Sequence, residues 1–341
     1  TESKIFSGTL IFSSQLANRI HIMNGLLPVD SLDTPRFVGL PTFMRLPQAN
    51  IGDQLDAAII GLPCDSGAPY RTGARFGPNS VRSMSVMLRP VNPYRNNLNV
   101  FEHIQVADAG DASVIPGYME ETMDRLQTGV AALVENEIIP IGIGGDHSVS
   151  LPALRAVANR HGPVALVHFD AHSDTWPGYF GGKLYSAGTP FRRAAEEEIV
   201  LPQSSIQIGM RGSLFRPDDV AQSLQLGFEV ITGDQMFAKG LEETAACIAR
   251  RVGEHPVYFT FDLDFVDPAF APGVQTPEAG GPSARETLSL LRSIKPINIV
   301  AADVVETNPL YDGPGQITAL LAATIVHEIL SLIAASRKCL E

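Results

Sequence analysis

Short runs that are predominantly apolar, with no polar face alternating in, recur along this chain between segments of helical period. Residues 57–61, 138–143, 164–169, 206–209, 228–231, 257–261 and 297–305 read as strands, and 120–135, 150–159 and 318–335 as helices. A strand apolar on both faces has to be covered on both. Alternation with helices therefore specifies an α/β fold whose mostly parallel sheet lies between helical layers. The 341 residues suffice for a large core. Pro28, Pro35, Pro41 and Pro47 interrupt any long element near the start. Residues 1–53 are thus expected to form an irregular arm, and 54–341 a single domain.

Three of these strands run directly into polar clusters. The 138–143 run ends in Gly144-Gly145-Asp146-His147-Ser148, the 164–169 run in Asp170-Ala171-His172-Ser173-Asp174, and the 257–261 run in Asp262-Leu263-Asp264. Ligands of open α/β sheets bind outside the carboxyl ends of strands, so the clusters should converge on one edge. Asp170, His172 and Asp174 at i, i+2 and i+4 would point to one side of an extended segment, and Asp262 and Asp264 repeat the spacing. With His147 they make four carboxylates and two imidazoles. Six such ligands exceed what one ion with an open water position needs, and suit two divalent ions sharing bridging carboxylates. The oxygen-rich set favours Mn, Co or Ni over a thiolate-type zinc site. A lone Asp-x-Asp after a strand is more often a turn; the three clusters together carry the inference. His168 lies inside its strand, behind Asp170. His21, His103, His161, His255 and His327 are isolated and read as surface or core residues.

A formal net charge of -12 argues against nucleic acid or an anionic membrane as partner, and suits a cationic ligand. Cys64, Cys247 and Cys339 are far apart, so neither a disulfide framework nor a structural zinc site is expected. No basic leader precedes an apolar run, and no stretch is expected to approach the roughly 20 apolar residues of a membrane span. A reduced, cytoplasmic setting is the expectation.

The clusters sit in longer motifs: GGDHS at 144–148, FDAHSDT at 169–175, TFDLDFVDPAFAPG at 260–273, DVVETNP at 303–309 and GARFGP at 73–78. In these the chain resembles the ureohydrolases, the arginase and agmatinase family, from about Asp56 to its end. PTFMRLP at 41–47 is similar to the agmatinase and guanidinobutyrase branch. The resemblance implies a three-layer α/β/α sandwich with about eight mostly parallel strands, in trimers or hexamers. It implies hydrolysis of a C–N bond in a guanidine-type substrate by two divalent ions, Ni2+ or Mn2+. One ion would be held by His147, Asp170, Asp174 and Asp262, the other by Asp170, His172, Asp262 and Asp264. Asp264 or Asp174 would carry the proton to the leaving amine, and Glu306 of DVVETNP would accept the guanidinium.

Two loops depart from that branch. Its usual His-Gly-Thr-Pro reads Ala187-Gly188-Thr189-Pro190, and Val274-Gln275 interrupts its usual APGTGTP. Ala187, Val274 and Gln275 are therefore expected at a remodelled substrate mouth. The expected substrate is an N-alkylated guanidine or biguanide such as metformin. The alternatives are a guanidinobutyrase- or agmatinase-type hydrolase releasing urea, or a metal-binding, weakly active subunit of a hetero-oligomer. A deacetylase-like zinc amidohydrolase of the same fold is a more distant reading, opposed by the second Asp-x-Asp carboxylate and by DVVE.

Overall fold

The computed structural model describes residues 26–48 and 53–338. Eight parallel strands form the central sheet: β1 (Ala57–Leu62), β4 (Val106–Asp111), β5 (Ile139–Gly144), β6 (Ala165–Phe169), β7 (Ile206–Ile208), β8 (Glu229–Ile231), β9 (Val257–Asp262) and β10 (Ile299–Val305). Their order is β4-β1-β5-β10-β9-β6-β7-β8. The short ribbon of β2 (Val91–Asn92) and β3 (Leu98–Asn99) lies apart from it.

Successive residues of each buried strand feed opposite faces. Ile59, Ile141, Val167 and Phe259 pack in one apolar cluster with α1 (Gly77–Ser85) and three later helices, α7 (Leu241–Val252), α8 (Ala284–Ser293) and α9 (Ile317–Lys338). Ile60, Leu62, Leu166 and Tyr258 pack in the other with α2 (Met119–Val134), α3 (Ser150–His161) and α4 (Pro190–Glu196), while α5 (Asp219–Leu226) and α6 (Gly233–Lys239) follow β7 and β8. Two clusters on either side of one sheet are what period-2 side chains between helical layers produce.

The sheet order decides where the chemistry lies. The strands with polar tails, β5, β9 and β6, flank β10 or one another, so the four central neighbours β5-β10-β9-β6 deliver their tails to one edge. Strand β4 was not anticipated from sequence. Its second half, Ala109-Gly110-Asp111, is polar and partly exposed at the sheet margin, and lacks the apolar run that marks the central strands.

Helix α9 corrects one expectation. Ile317–Arg337, with mean hydropathy 2.0, is long and apolar enough to cross a membrane by length and composition, yet 83% of its most apolar window is buried. Its hydrophobicity on all sides is that of a helix enclosed by protein. Asp312 starts it, accepting the amides of Thr318 and Ala319 at 2.8 and 2.9 Å.

Between 26 and 48 the chain makes turns and one 3-10 turn, Phe43–Arg45. Phe43 and Leu46 nevertheless reach the core. The Phe43 amide donates to Asp108 at 2.7 Å, tying this stretch to β4. The expectation for residues 1–25 lies outside the described residues.

Candidate metal and active centre

The carboxyl end of β5 approaches the turn after β1 so closely that a Cβ on Gly145 would overlap the Cys64 carbonyl oxygen. That approach sets Asp146 as N-cap of the short helix His147–Val149 and turns His147 over β9 and β10. The His147 ring is then fixed from behind. Its Nε2 lies 2.9 Å from Thr260 Oγ1, whose hydroxyl donates to Asp303, and Asp303 also accepts from Tyr258 and Ser150.

Its other nitrogen faces the carboxylates. His147 Nδ1 is 3.0 Å from Asp170 Oδ2, 2.9 Å from Asp174 Oδ2 and 3.2 Å from Asp262 Oδ2, and makes a hydrogen bond with none of them. Asp170 turns its other oxygen, Oδ1, toward His172 Nδ1 at 3.3 Å, and Asp264 Oδ2 lies 3.1 Å from that nitrogen. Two groups of ligand atoms therefore meet at Asp170, one oxygen in each. Asp262 joins the His147 group through Oδ2, while its Oδ1 accepts the Asp264 amide at 2.7 Å.

The extended geometry expected for these clusters does not occur. Asp170 Oδ1 accepts the His172 amide at 2.6 Å, and Asp174 adopts a left-handed φ of 49°. Asp262 caps a 3-10 turn in the same way. Aspartates that bond the amide two residues on make tight turns, and turns bring these side chains together.

His168 also lies within reach of the first group, whose His147, His168, Asp170 and Asp174 ligand atoms fall within 4.8 Å of one another. Its hydrogen bonds give it another part. Gln207 donates to its Nδ1 at 2.9 Å, which leaves Nε2 protonated and donating to Asp170 Oδ2 at 2.8 Å. Burial holds this imidazole down at about 4, so it stays neutral. A neutral histidine that orients a liganding carboxylate is the usual support of a metal site.

The charge balance shows what the cluster lacks. Burial, then the neighbouring charge of Asp170, lifts Asp174 to about 7. Burial and the charges of Asp264 and Asp170 lift Asp262 well above the carboxylate range. Burial pushes His147 down, but the three carboxylates outweigh it and hold the ring well above its ordinary value. Carboxylates this close and this dry repel unless protons or cations intervene. The unpartnered Nδ1 of His147 among three oxygens is a donor set suited to a divalent cation.

Above the cluster is a cavity of about 450 Å³. Trp176, Tyr179 and Phe215 form one wall, with ring centroids 5.6 to 6.3 Å apart. Ala187, Gln275 and Glu306 also line it. Among the described residues no Lys or Arg does. Val274, expected at the mouth, is instead wholly buried in the apolar core. None of His103, His161, His255 and His327 lines this cavity, and His21 lies outside the described residues.

Glu306 is 1% exposed, with φ at 65°. Its Oε1 accepts from the His147 amide and from Gln275 Nε2, both at 2.8 Å, and its Oε2 has no partner.

Arg211, after β7, escaped the sequence reading. It donates to the carbonyls of Asp264 at 2.6 Å, Phe265 at 2.9 Å and Glu278 at 2.8 Å, stitching the Asp262–Asp264 turn to the next loop. Its only sequence signal is an arginine at the end of a strand on the same sheet edge.

Residues 55–331 match the family model described as "Arginase family". The chain belongs to the arginase family. It is 42% identical over 309 residues to guanidinopropionase of Pseudomonas aeruginosa, covering 91% of this chain and 96% of that one. It is 38% identical over 309 residues to guanidinobutyrase of the same organism, covering 90% and 96%. The solved structure of proclavaminate amidino hydrolase from Streptomyces clavuligerus superposes with a TM-score of 0.85 at 43% identity, covering 89% of this chain and all of that one. The arginase-family resemblance and the eight-stranded α/β/α fold are thus borne out, and the chain is a hydrolase of this family.

Proposed function

We propose that this hydrolase cleaves a C–N bond of a guanidino compound, of the kind handled by guanidinobutyrases and agmatinases, with release of urea. The observation carrying this reading is one floor shared by two features. The carboxylate–imidazole cluster centred on Asp170 lies beside Glu306, whose Oε2 is buried and unpaired.

The ligands proposed are His147, Asp170, Asp174 and Asp262 for one divalent ion, and Asp170, His172, Asp262 and Asp264 for the other. Such a pair, when bound, supplies Lewis acidity and a water acidified toward a pKa of about 7. The protein does the rest. Glu306 Oε2 accepts from the planar guanidinium and fixes its carbon over the cluster. Asp264, with Thr276 Oγ1 3.2 Å from its Oδ2, or Asp174 holds the proton that the leaving amine must acquire. The aromatic wall bounds the space above the cluster.

A second reading, an N-alkylated guanidine or biguanide such as metformin, was the first expectation from sequence. Relatives are named guanidinopropionase, guanidinobutyrase and agmatinase, which supports the urea-releasing reading, and we place it first. The cavity lining supports the other: Ala187 supplies only a methyl group, and among the described residues no lining Lys or Arg meets a carboxylate tail. Burying two N-methyl groups there would contribute about 0.8 kcal/mol per carbon.

The test is kcat/KM of the chain alone, loaded with Mn2+ or with Ni2+, on agmatine, 4-guanidinobutyrate, 3-guanidinopropionate and N,N-dimethylbiguanide. Urea release from one of the first three is expected. Turnover of none of the four by fully metallated protein would overturn the reading in favour of the weakly active partner of a hetero-oligomer. Ala187→His should shift preference toward the unalkylated substrates by refilling the space. An unchanged ratio would make Ala187 irrelevant to selectivity.

A further inference from the structure

Gln275 lines the cavity and is 1% exposed. A buried glutamine must place two donors and an acceptor. Its Nε2 donates to Glu306 Oε1 at 2.8 Å. A carboxylate cannot donate, so the bond fixes the orientation of the amide. The carbonyl oxygen of Gln275 is then left buried and without a partner, as is Glu306 Oε2. Two residues joined by one hydrogen bond thus each present one unused acceptor in the same pocket.

Two unpaired acceptors on hydrogen-bonded neighbours cannot satisfy each other; both need a donor from outside. A guanidinium is a planar array of N–H donors on adjacent nitrogens, each of which needs an acceptor once water is excluded. We infer that Gln275 is a substrate-contacting, specificity-determining residue: its carbonyl oxygen accepts a guanidinium N–H next to the one taken by Glu306 Oε2. This rests on the guanidino reading above. The pair carries a single negative charge, matched to a monocation, and the amide adds a geometric demand for a second N–H that charge alone does not make. A site built on acceptors discriminates against analogues lacking the matching N–H, because the acceptor is then buried unpaired.

The experiment uses metal-loaded protein and two probes, guanidinium and N,N-dimethylacetamidinium, a planar cation in which only one nitrogen carries N–H. Their Kd values are measured by calorimetry for wild type, Gln275→Met and Gln275→Asn. Methionine keeps the length without an amide, and asparagine keeps the amide without the reach. Wild type should prefer guanidinium. Both variants should lose about tenfold or more of guanidinium affinity, and much of the preference over N,N-dimethylacetamidinium, the size expected for one hydrogen bond to a charged group. Equal losses on both probes, or none, would overturn the inference and leave Gln275 a prop for Glu306. Binding is read without turnover. A wild type that binds guanidinium with the expected preference yet hydrolyses no substrate sinks the hydrolase reading alone, and one that binds neither probe sinks both.

Discussion

Asp170→Asn should remove nearly all activity and lower the metal content of the active protein from about two ions per chain to one or fewer. Asp170, one of the two carboxylates proposed to serve both ions, sets one oxygen in the His147 group and the other in the His172 group. It is fully buried, held by His168 on one oxygen and by the His172 amide on the other. An amide of the same shape keeps those contacts only in part, and it presents N–H donors where a cation needs an anionic oxygen. The charge lost is shared by both ions, so both sites weaken together. Asp174→Asn touches only the His147 group and should spare the second ion. Gln207→Ala, which frees His168 to rotate, should cost roughly 10–100-fold, the usual effect of losing a support behind a ligand. The loss at Asp170 should exceed that. Elemental analysis and kcat/KM on the three variants give the order directly. An Asp170→Asn protein retaining two ions and most of its activity would remove Asp170 as a shared ligand.

Where the side chains come together was readable from strand tails, because apolar runs ending in Asp and His mark both the strand and its functional end. How they come together was not. The spacing suggested extended segments, whereas Asp170 and Asp262 each bond the amide two residues ahead and close turns. Side-chain-to-backbone bonds of this kind compete with extended structure locally and leave no trace in a hydrophobic pattern. The supports behind the ligands left a fainter signal. His168, Thr260 and Asp303 fall in register on β6, β9 and β10, and His168 pairs with Gln207 on β7. A polar residue at mid-strand in four apolar neighbours is conspicuous once the strand order is known, and the order is not written in any one strand. The aromatic wall was invisible altogether, since Phe215 joins Trp176 and Tyr179 from a separate loop. Val274 was misplaced because a loop residue beside a pocket can face either way, and its methyl groups go to the core.

Glu306→Gln should lower kcat/KM by about tenfold to more than a hundredfold, the equivalent of roughly 1.5–3 kcal/mol for one charge-assisted hydrogen bond, without loss of metal. The side chain has little freedom to adapt. Its backbone sits at φ 65°, its Oε1 is bound by the His147 amide and by Gln275, and only Oε2 is unpartnered. Burial, with the charges of Asp262 and Asp146, already makes its carboxylate unfavourable in the absence of a cation. A guanidinium supplies the missing charge and donors at once. Glutamine at the same position faces a conflict. With its NH2 toward Oε1's present partners it sets donor against donor; with its NH2 toward the cavity it offers the substrate a donor instead of an acceptor. Either way the ground state is relieved of a buried charge, so the fold should melt at the wild-type temperature or above it. The combination separates a role in substrate orientation from a role in folding or in holding metal: lost kcat/KM, intact metal content, unchanged or raised Tm. Wild-type kinetics in Glu306→Gln would withdraw the guanidinium contact. A fall in bound metal would instead place Glu306 among the groups that support His147, whose amide it holds.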